Sequence, residues 1–287
     1  MKEEIWFIIN PISGISNKKR IESKIHKFLD KEKYNYSIIY TEYREHGSEL
    51  SKKAIENKID VVCAVGGDGT VHEVATALIH SNVKLAIIPS GSGNGFAHHF
   101  QISENIKKCI EIINIGNFSK IDTALVNDVP FIQVAGIGYD AKVAYEMVNN
   151  KLRGLIRYLF IICRTYFGYR GVEIELSGEK KTYFMVVVAN TNEFGNGFKI
   201  SPTSNASDGN LELLLIKKAP LISLPLEVLR FLAGTSHKSK FVETREITGI
   251  ELNTNSEYFQ MDGEGSRNEF TQFNFKIVPK SLVVIHG

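Results

Sequence analysis

Apolar and polar residues follow two different patterns along this chain, and the pattern changes near Asp122. In the first part, short apolar runs rich in β-branched residues alternate with segments of helical spacing. Such alternation predicts a parallel sheet with helices on both faces. The predicted strands are Glu4–Asn10, Tyr34–Thr41, Asp60–Val65 and Lys84–Ile88, and the predicted helices are Asn17–Lys31, Gly47–Asn57, Val71–His80 and Ser103–Ile113, the last with Ser103 as its N-cap.

After Asp122, strand-like runs follow one another and are separated by Gly, Asn and Asp. This pattern predicts an antiparallel sandwich or barrel, interrupted by helical insertions at Val143–Phe167 and Leu221–Leu232. The predicted strands are Val129–Val134, Val172–Leu176, Tyr183–Ala189, Leu211–Ile216, Ile247–Leu252, Tyr258–Met261, Phe273–Ile277 and Ser281–Ile285.

We therefore expect two domains. Residues 1–122 should form an α/β nucleotide-binding domain with a Rossmann-like parallel sheet, and residues 123–287 a mainly antiparallel β-sandwich domain that receives the substrate. A return of the last residues to the first domain is left open. In such an arrangement the active site is expected in the cleft between the domains.

Polar or glycine-rich segments follow each of the first four predicted strands. Asn10–Gly14 follows the first, Thr41 ends the second, Gly66–Thr70 follows the third, and Pro89–Gly95 follows the fourth. Ligands of parallel α/β sheets bind beyond the carboxyl ends of the strands. These four segments should therefore meet at one edge of the sheet.

Gly66-Gly67-Asp68-Gly69-Thr70 joins a predicted buried strand to a predicted helix. The N–H groups of a first helical turn and the helix dipole favour a phosphate at such a junction, and glycines let the backbone approach it. A carboxylate in this place suits a metal ion or the activation of a hydroxyl. The alternative is an ordinary strand–helix turn in which Asp68 is the N-cap.

The composition and net charge of the chain limit the kinds of function that it can have. The chain has 287 residues, of which 43% are hydrophobic and 23% charged, with a net charge of +2. These values are typical of a globular protein and argue against a nucleic-acid partner. No apolar stretch reaches the length of a transmembrane helix, and the N-terminus does not resemble a signal peptide. Cys63, Cys109 and Cys163 are far apart and are expected to be buried thiols in a reducing compartment, which predicts a cytoplasmic protein.

Six motifs, in this order, resemble those of the diacylglycerol kinase catalytic superfamily, which includes bacterial lipid kinases, sphingosine kinases and ceramide kinases. The resemblance covers nearly the whole chain. It implies that ATP, with Mg²⁺, phosphorylates the hydroxyl of diacylglycerol or of a sphingoid- or ceramide-like lipid. The enzyme would be peripheral to the inner membrane surface, and a homodimer is left open. The motifs are Asn10-Pro11-x-Ser13-Gly14, Gly66-Gly67-Asp68-Gly69-Thr70, Gly91-Ser92-Gly93-Asn94-Gly95, Gly136-x-Gly138-Tyr139-Asp140-Ala141, Ser207-Asp208-Gly209-x-Leu211 and Asp262-Gly263-Glu264.

The resemblance also implies roles for individual residues. Glu264 would be the base for the attacking hydroxyl, with Asp262 supporting it or the metal, and Asp68 organising metal and phosphate. Asn205, Asp208 and Asn210 would hold a metal ion, the alternative being a plain Asp-Gly turn. The nucleotide contacts would be Asn10, Pro11, Ile12, Ser13, Gly14, Thr41, Gly66, Gly67, Asp68, Gly69, Thr70, Val71, His72, Ser92, Lys151 and Arg157. The alternative for Thr41 is a strand-end residue that bonds its own backbone, and for Lys151 and Arg157 the solvated face of a core helix.

Two further expectations come from the residues themselves. If Asp262-Gly263-Glu264 continues the strand before it, alternation places both carboxylates on one side, where their proximity raises one pKa. The alternative is a β-turn with solvated carboxylates. The apolar residues of the second helical insertion are expected mostly in the core, with an acyl pocket or bilayer contact left open. They are Leu221, Ile222, Leu224, Leu226, Leu229 and Phe231.

Two other functions remain open from the sequence. An NAD kinase shares the Gly-Gly-Asp-Gly-Thr motif, but the Asn-Glu pair expected after it occurs only at Asn192-Glu193, late in the chain. A catalytically silent nucleotide or lipid sensor is the other alternative, although Asp68 and Glu264 argue against it.

Overall fold

A computed structural model of the chain describes residues 2–14, 18–148 and 155–287. They form two compact units. Unit 1 comprises residues 1–123, 195–197 and 278–287, and unit 2 comprises residues 124–194 and 198–277. The chain thus enters unit 1 again at its end.

Unit 1 is built on a parallel sheet. From one edge, its strands are β2 (Tyr34–Tyr40), β1 (Glu3–Ile9), β3 (Val61–Gly66) and β4 (Lys84–Pro89), followed by the last part of β16 (Gln272–Ile285) beside β4. The predicted strands are confirmed within one residue at each end, because their apolar runs are buried in the sheet. In chain order the elements are β1 (Glu3–Ile9), α1 (Lys18–Phe28), β2 (Tyr34–Tyr40), α2 (His46–Glu56), β3 (Val61–Gly66), α3 (Asp68–Leu78), β4 (Lys84–Pro89), α4 (Gly95–His99) and α5 (Ile106–Ile115).

The helix predictions for unit 1 need two corrections. Ser103 is not the N-cap of α5: Asn105 is, because its side chain accepts a hydrogen bond from the Lys107 amide. The short helix α4 was not predicted, since its five residues are too few to show a period.

Unit 2 holds two antiparallel sheets. One has the order β12 (Val242–Ile247), β11 (Leu211–Ile216), β10 (Met185–Ala189), β7 (Val134–Gly138), β14 (Tyr258–Met261) and β15 (Glu264–Arg267). The other contains the first part of β16 with β13 (Gly249–Thr254), β8 (Val172–Leu176) and β9 (Glu179–Tyr183). The remaining elements are β5 (Phe118–Val126), β6 (Val129–Phe131), β7 (Val134–Gly138), α6 (Tyr139–Val148), α7 (Leu155–Gly168), β8 (Val172–Leu176), β9 (Glu179–Tyr183), β10 (Met185–Ala189), β11 (Leu211–Ile216), α8 (Leu224–Leu232), a 3-10 turn (Ser236–Lys238), β12 (Val242–Ile247), β13 (Gly249–Thr254), β14 (Tyr258–Met261), β15 (Glu264–Arg267) and β16 (Gln272–Ile285).

The six-stranded sheet is covered on both faces. Val186 and Val188 of β10 pack into the core between the sheets, while Val187 packs on the other face with Tyr139 and Phe231 from the helical side. Burial on both faces explains why β10 and β11 are apolar at almost every position rather than alternating. The predicted fold class, a parallel α/β domain followed by an antiparallel sandwich, is confirmed; the cleft between them stays a prediction.

Several strand boundaries in unit 2 differ from the prediction. The run Val129–Val134 is two strands, because the amides of Ile132 and Gln133 leave the ladder and donate to the Asp262 carboxylate. Phe273–Ile277 and Ser281–Ile285 are parts of one strand, β16. The polar strands β9, β12 and β15 were not predicted, since each lies at the edge of its sheet and needs few apolar residues.

The second helical insertion contradicts the expectation of core packing. Phe231 is buried, but Leu221, Ile222, Leu226 and Leu229 are exposed. Cys63 and Cys109 are buried as expected, whereas Cys163 is exposed on the outer face of α7. Within the described ranges, none of the helices combines the length and apolar character that crossing a bilayer requires.

Candidate active site

The segments after β1, β3 and β4 meet at the carboxyl edge of the unit 1 sheet, as predicted. The Asn10 side-chain amide donates to the Thr70 hydroxyl at 3.1 Å. The hydroxyls of Ser13 and Ser90 lie 3.3 Å apart. Thr41, buried at the end of β2, donates its amide to Ile9 at the same edge. Three separate loops are thereby joined into one surface.

Backbone-to-backbone packing holds these loops together. A Cβ on Gly91 would lie 2.5 Å from the Cα of Gly67. Gly14 has a φ of +64°, and a Cβ there would lie 1.7 Å from the Ser90 carbonyl oxygen. Only glycine allows both the left-handed conformation and this approach. The glycines of the motifs therefore shape the floor of the site.

Gly14→Ala should lower the free energy of unfolding by about 3 kcal/mol or more, because it adds a steric clash to an unfavourable φ. Gly178→Ala is the matched control: its φ is +80°, but nothing lies within 4 Å of its Cβ position. We expect it to lose only about 1–2 kcal/mol. Urea unfolding of both variants provides the comparison, and equal losses would show that the Ser90 contact carries no cost.

Asp68 is the first residue of α3, and Gly67, in extended conformation, is the N-cap. The interpretation of Asp68 as an N-cap is therefore wrong. Its Oδ2 instead accepts a hydrogen bond from the Asn94 amide at 2.7 Å, and a Cβ on Gly93 would lie 2.6 Å from the same oxygen. The carboxylate is thus fixed between the loop after β3 and the loop after β4.

Asn94 is part of the Gly91–Gly95 motif but was assigned no role from the sequence, yet it organises the loop after β4. It is 4% exposed and has a φ of 55°. Its Oδ1 accepts from the Gly91 amide at 3.0 Å, and its Nδ2 donates to the Gly91 carbonyl and to Glu104. An Asn between two glycines is a signal for a left-handed turn position, because Asn tolerates that conformation better than most residues.

The predicted nucleotide contacts fall into two groups: those whose side chains lie outside the described part of the structure, and those in unit 1. Lys151 lies outside the described residues, and Arg157 lies on α7 with a side chain outside the described part. The structure brings the rest together in unit 1, at the carboxyl edge of its sheet: Asn10, Pro11, Ile12, Ser13, Gly14, Thr41, Gly66, Gly67, Asp68, Gly69, Thr70, Val71, His72 and Ser92.

Asp262 and Gly263 form a two-residue turn between β14 and β15, so the expected extended segment is wrong. Both have positive φ, 49° and 85°, and Met261 pairs with Glu264. Asp-Gly strongly favours such a hairpin turn. Strand alternation therefore does not place the two carboxylates side by side, and the exposed Glu264 begins a new strand.

Asp262 holds the backbone before β7. It is 4% exposed, and its carboxylate accepts hydrogen bonds from the amides of Ile132, Gln133 and Val134 at 2.8–3.1 Å. Its own amide donates to the Val134 carbonyl. A buried carboxylate with three backbone donors is a strong structural anchor. It fixes the turn that carries Glu264.

Gln260 was also missed. It is 2% exposed, its Oε1 accepts from the Gly263 amide at 3.0 Å, and its Nε2 donates to Asp140 Oδ2 at 3.1 Å. A Cβ on Gly136 would lie 1.7 Å from that carboxylate oxygen. The Gly136–Asp140 motif therefore makes room for a polar contact that supports the same turn. A Gln amid apolar strand residues was the available signal.

Burial raises the pKa of Asp140 from 3.8 to about 6, and the hydrogen bond from Gln260 opposes the rise. Between these values the folded chain binds more protons than the unfolded chain, so stability falls as pH rises. The loss attributable to Asp140 should reach about 3 kcal/mol. Asp140→Asn should lack this component in urea unfolding from pH 4 to 7; parallel wild-type and variant profiles would contradict it.

Asn205, Asp208 and Asn210 lie together in the turn before β11. The Asn205 side chain accepts from the Ser207 amide at 3.2 Å, and Asp208 Oδ1 accepts from the Asn210 amide at 2.9 Å. Bonds of this kind, from an amide to the side-chain oxygen two residues before it, are typical of turns, and the metal site stays a prediction. No group of three His, Cys, Asp or Glu side chains in the described residues is arranged to hold a metal ion.

Two family models match the chain in succession. The model of the diacylglycerol kinase catalytic domain matches residues 4–126. The model of the YegS C-terminal NAD kinase beta sandwich-like domain matches residues 133–286, which is more than half of the chain. The two matches correspond to the α/β part and the sandwich part of the fold.

Individual relatives agree with these models. Diacylglycerol kinase of Bacillus subtilis strain 168 is 28% identical over 268 residues, covering 90% of this chain and 88% of the relative. That of Staphylococcus epidermidis RP62A is 26% identical over 275 residues, covering 90% and 87%. A crystal structure of a diacylglycerol kinase from Bacillus anthracis strain Sterne has a TM-score of 0.73 at 19% identity, covering 99% of this chain and 97% of that one, and supports the fold alone.

The glycine-built edge of the unit 1 sheet, the sandwich that follows it and both family models lead to the same result. This chain belongs to the diacylglycerol kinase catalytic-domain superfamily and is an ATP-dependent lipid kinase.

Proposed function

We propose that this kinase transfers the γ-phosphate of ATP to the free hydroxyl of diacylglycerol at a membrane surface. The observation that carries the proposal is the joining of the loops after β1, β3 and β4 by glycine contacts, with the Asp68 carboxylate fixed between two of them. Phosphoryl transfer depends mainly on positioning and charge stabilisation, which such a surface can supply. The choice of diacylglycerol follows the names of the curated relatives.

The nucleotide phosphates would lie against the start of α3. Its first-turn amides and dipole favour anions, and Asn10 and Ser13 offer polar groups beside it. The hydroxyl of Ser92, exposed in the loop after β4, would add a further contact. Asp68 would orient the metal-bound phosphates rather than accept the substrate proton, because its position is set by the Asn94 amide.

Glu264 would accept the proton of the lipid hydroxyl. It is exposed at the start of β15, where a substrate can reach its carboxylate. The turn before it is fixed by the buried Asp262 and Gln260. A fixed turn keeps the carboxylate in a defined place, which general-base catalysis requires. Asp262 would contribute as the anchor of this turn.

Magnesium would be held by the turn before β11. Mg²⁺ prefers oxygen ligands, keeps several waters and needs only one or two carboxylates. The donor set fits that preference: the carboxylate of Asp208, the side-chain oxygen of Asn205 and the backbone of Asn210. When bound there, the ion would offset the negative charge of Asp208 and hold this turn in one conformation.

A panel of acceptors tests the proposal. Purified enzyme receives radiolabelled ATP and Mg²⁺ with diacylglycerol, monoacylglycerol, ceramide, a sphingoid base, phosphatidylglycerol or NAD. We expect the fastest labelling with diacylglycerol and none when the divalent cation is chelated. Faster labelling of a sphingoid base or ceramide would overturn the choice of lipid. Label on NAD alone would overturn lipid phosphorylation and favour the NAD kinase alternative.

A further inference from the structure

Helix α8 exposes most of its apolar residues, although Phe231 is buried. Leu226, Val228, Leu229 and Leu232 are exposed, by 52%, 41%, 61% and 49%. The charged Glu227, by contrast, is 6% exposed and forms a 2.7 Å ion pair with Arg230. A surface helix normally buries its apolar stripe and exposes its charges. The outward face of α8 is therefore suited to an apolar environment rather than to water.

The chain before α8 extends this surface. Leu221 is 55% exposed and Ile222 is 94% exposed. We call Leu221, Ile222, Leu226, Val228, Leu229 and Leu232 the apolar ridge. Single exposed apolar residues are common, but a contiguous group of this size marks an interaction surface.

Basic residues flank the apolar ridge on both sides in the chain. Lys217 precedes it, and Lys238 and Lys240 follow it, all three exposed. We call these three residues the basic flanks. The neighbouring Lys218 is not one of them, because its ammonium donates to the carbonyls of Tyr166 and Tyr169. Glu227 is the one acidic residue between 217 and 240, and its charge is buried against Arg230. An apolar face bordered by Lys residues complements an anionic lipid surface, which offers acyl chains below and negative headgroups above.

We propose that the apolar ridge and the basic flanks dock this kinase on an anionic bilayer, with the ridge inserted below the headgroups. The proposal rests on the proposed function, since a diacylglycerol kinase must reach a substrate that resides in a bilayer. Charge complementarity favours a lipid surface over a second copy of the chain, whose own basic flanks would be brought close to the first.

Vesicle sedimentation tests the ridge. Wild-type protein should bind phosphatidylcholine vesicles that contain phosphatidylglycerol, and the double variant Leu226→Glu/Leu229→Glu should bind about tenfold or more weakly. Ile115→Glu is the matched control, because Ile115 is 64% exposed at the end of α5, outside the ridge. Its binding should equal that of the wild type. Equal binding by the double variant would overturn the proposal.

A second variant changes the basic flanks and leaves the apolar ridge intact. It tests the proposal even if the Leu226→Glu/Leu229→Glu variant is unstable. Lys238→Glu/Lys240→Glu should bind anionic vesicles more weakly and with less dependence on salt. Unchanged binding and salt dependence would contradict the role of the basic flanks. If analytical ultracentrifugation shows a dimer that the ridge variant dissociates while vesicle binding is unaffected, the occupant is a second copy and the lipid proposal is wrong.

A water-soluble, short-chain diacylglycerol separates failure of docking from failure of the proposed function. The ridge variant should phosphorylate this monomeric substrate at the wild-type rate but lose activity on vesicles. Loss of both activities to the same degree would contradict a docking role. If the wild type phosphorylates no diacylglycerol, the proposed function fails, while the vesicle-binding result still decides the docking surface.

Discussion

Replacing Glu264 by Gln should lower turnover by about 10²–10⁴-fold, while the affinity for ATP and the Tm keep their wild-type values. Gln has nearly the same shape as Glu but cannot accept a proton at neutral pH. The side chain is exposed at the start of β15, so the substitution leaves the core packing of unit 2 unchanged. The loss should therefore fall on kcat.

Glu269→Gln is the matched control, because Glu269 is exposed just after the same hairpin. It should keep full activity. Initial rates with saturating ATP and diacylglycerol measure kcat, and isothermal titration measures ATP binding. A wild-type kcat in Glu264→Gln would rule out Glu264 as the base. A loss of ATP affinity equal to the loss of rate would place the residue in nucleotide binding instead.

Asp262→Asn should lower the free energy of unfolding by about 2–4 kcal/mol. The carboxylate is buried and accepts three backbone amides, from Ile132, Gln133 and Val134. Asn retains one acceptor oxygen, but its NH₂ group then faces amide donors, and the negative charge is lost. Asn tolerates the φ of 49° at this position, so the backbone conformation itself adds little to the loss.

Asp128→Asn provides the comparison, because Asp128 is exposed, has a φ of 64° and lies in the turn between β5 and β6. It should change stability by less than about 0.5 kcal/mol. Chemical denaturation measures both variants. An Asp262→Asn protein with wild-type stability and greatly reduced turnover would show that Asp262 acts in the chemistry and not as an anchor.

Much of the fold is visible in the sequence because its strands are buried on both faces. Runs such as Val61–Gly66 and Met185–Ala189 are apolar throughout, and no other element accommodates them so well. The edge strands β9 and β15 were missed for the opposite reason: Glu179–Tyr183 and Glu264–Arg267 are mostly polar and exposed. Their pairing comes from neighbouring strands rather than from their own pattern.

The candidate site, like the fold, could be predicted only in part from the sequence. Glycine positions at the strand ends predicted the shared edge in unit 1, because a Cβ cannot fit where loops pack backbone to backbone. The roles of Asn94 and Gln260 depend on partners distant in the chain, Asp68 and Asp140. The spacing of residues within one segment cannot reveal hydrogen bonds between side chains and groups that lie far apart in the chain. The hairpin at Asp262–Gly263 was recognisable as a turn signal but was interpreted as a continued strand.

Single-turnover transfer of label from γ-labelled ATP is the most direct test of the central claim. Enzyme in excess over ATP is mixed with diacylglycerol in anionic vesicles, and the label is followed into extracted lipid. The wild type should place the label on the diacylglycerol hydroxyl in one fast phase, and Glu264→Gln should bind the same ATP but transfer it at least about 100-fold more slowly. Release of the label as free phosphate, with none in the lipid, would contradict the assignment of this chain as a diacylglycerol kinase.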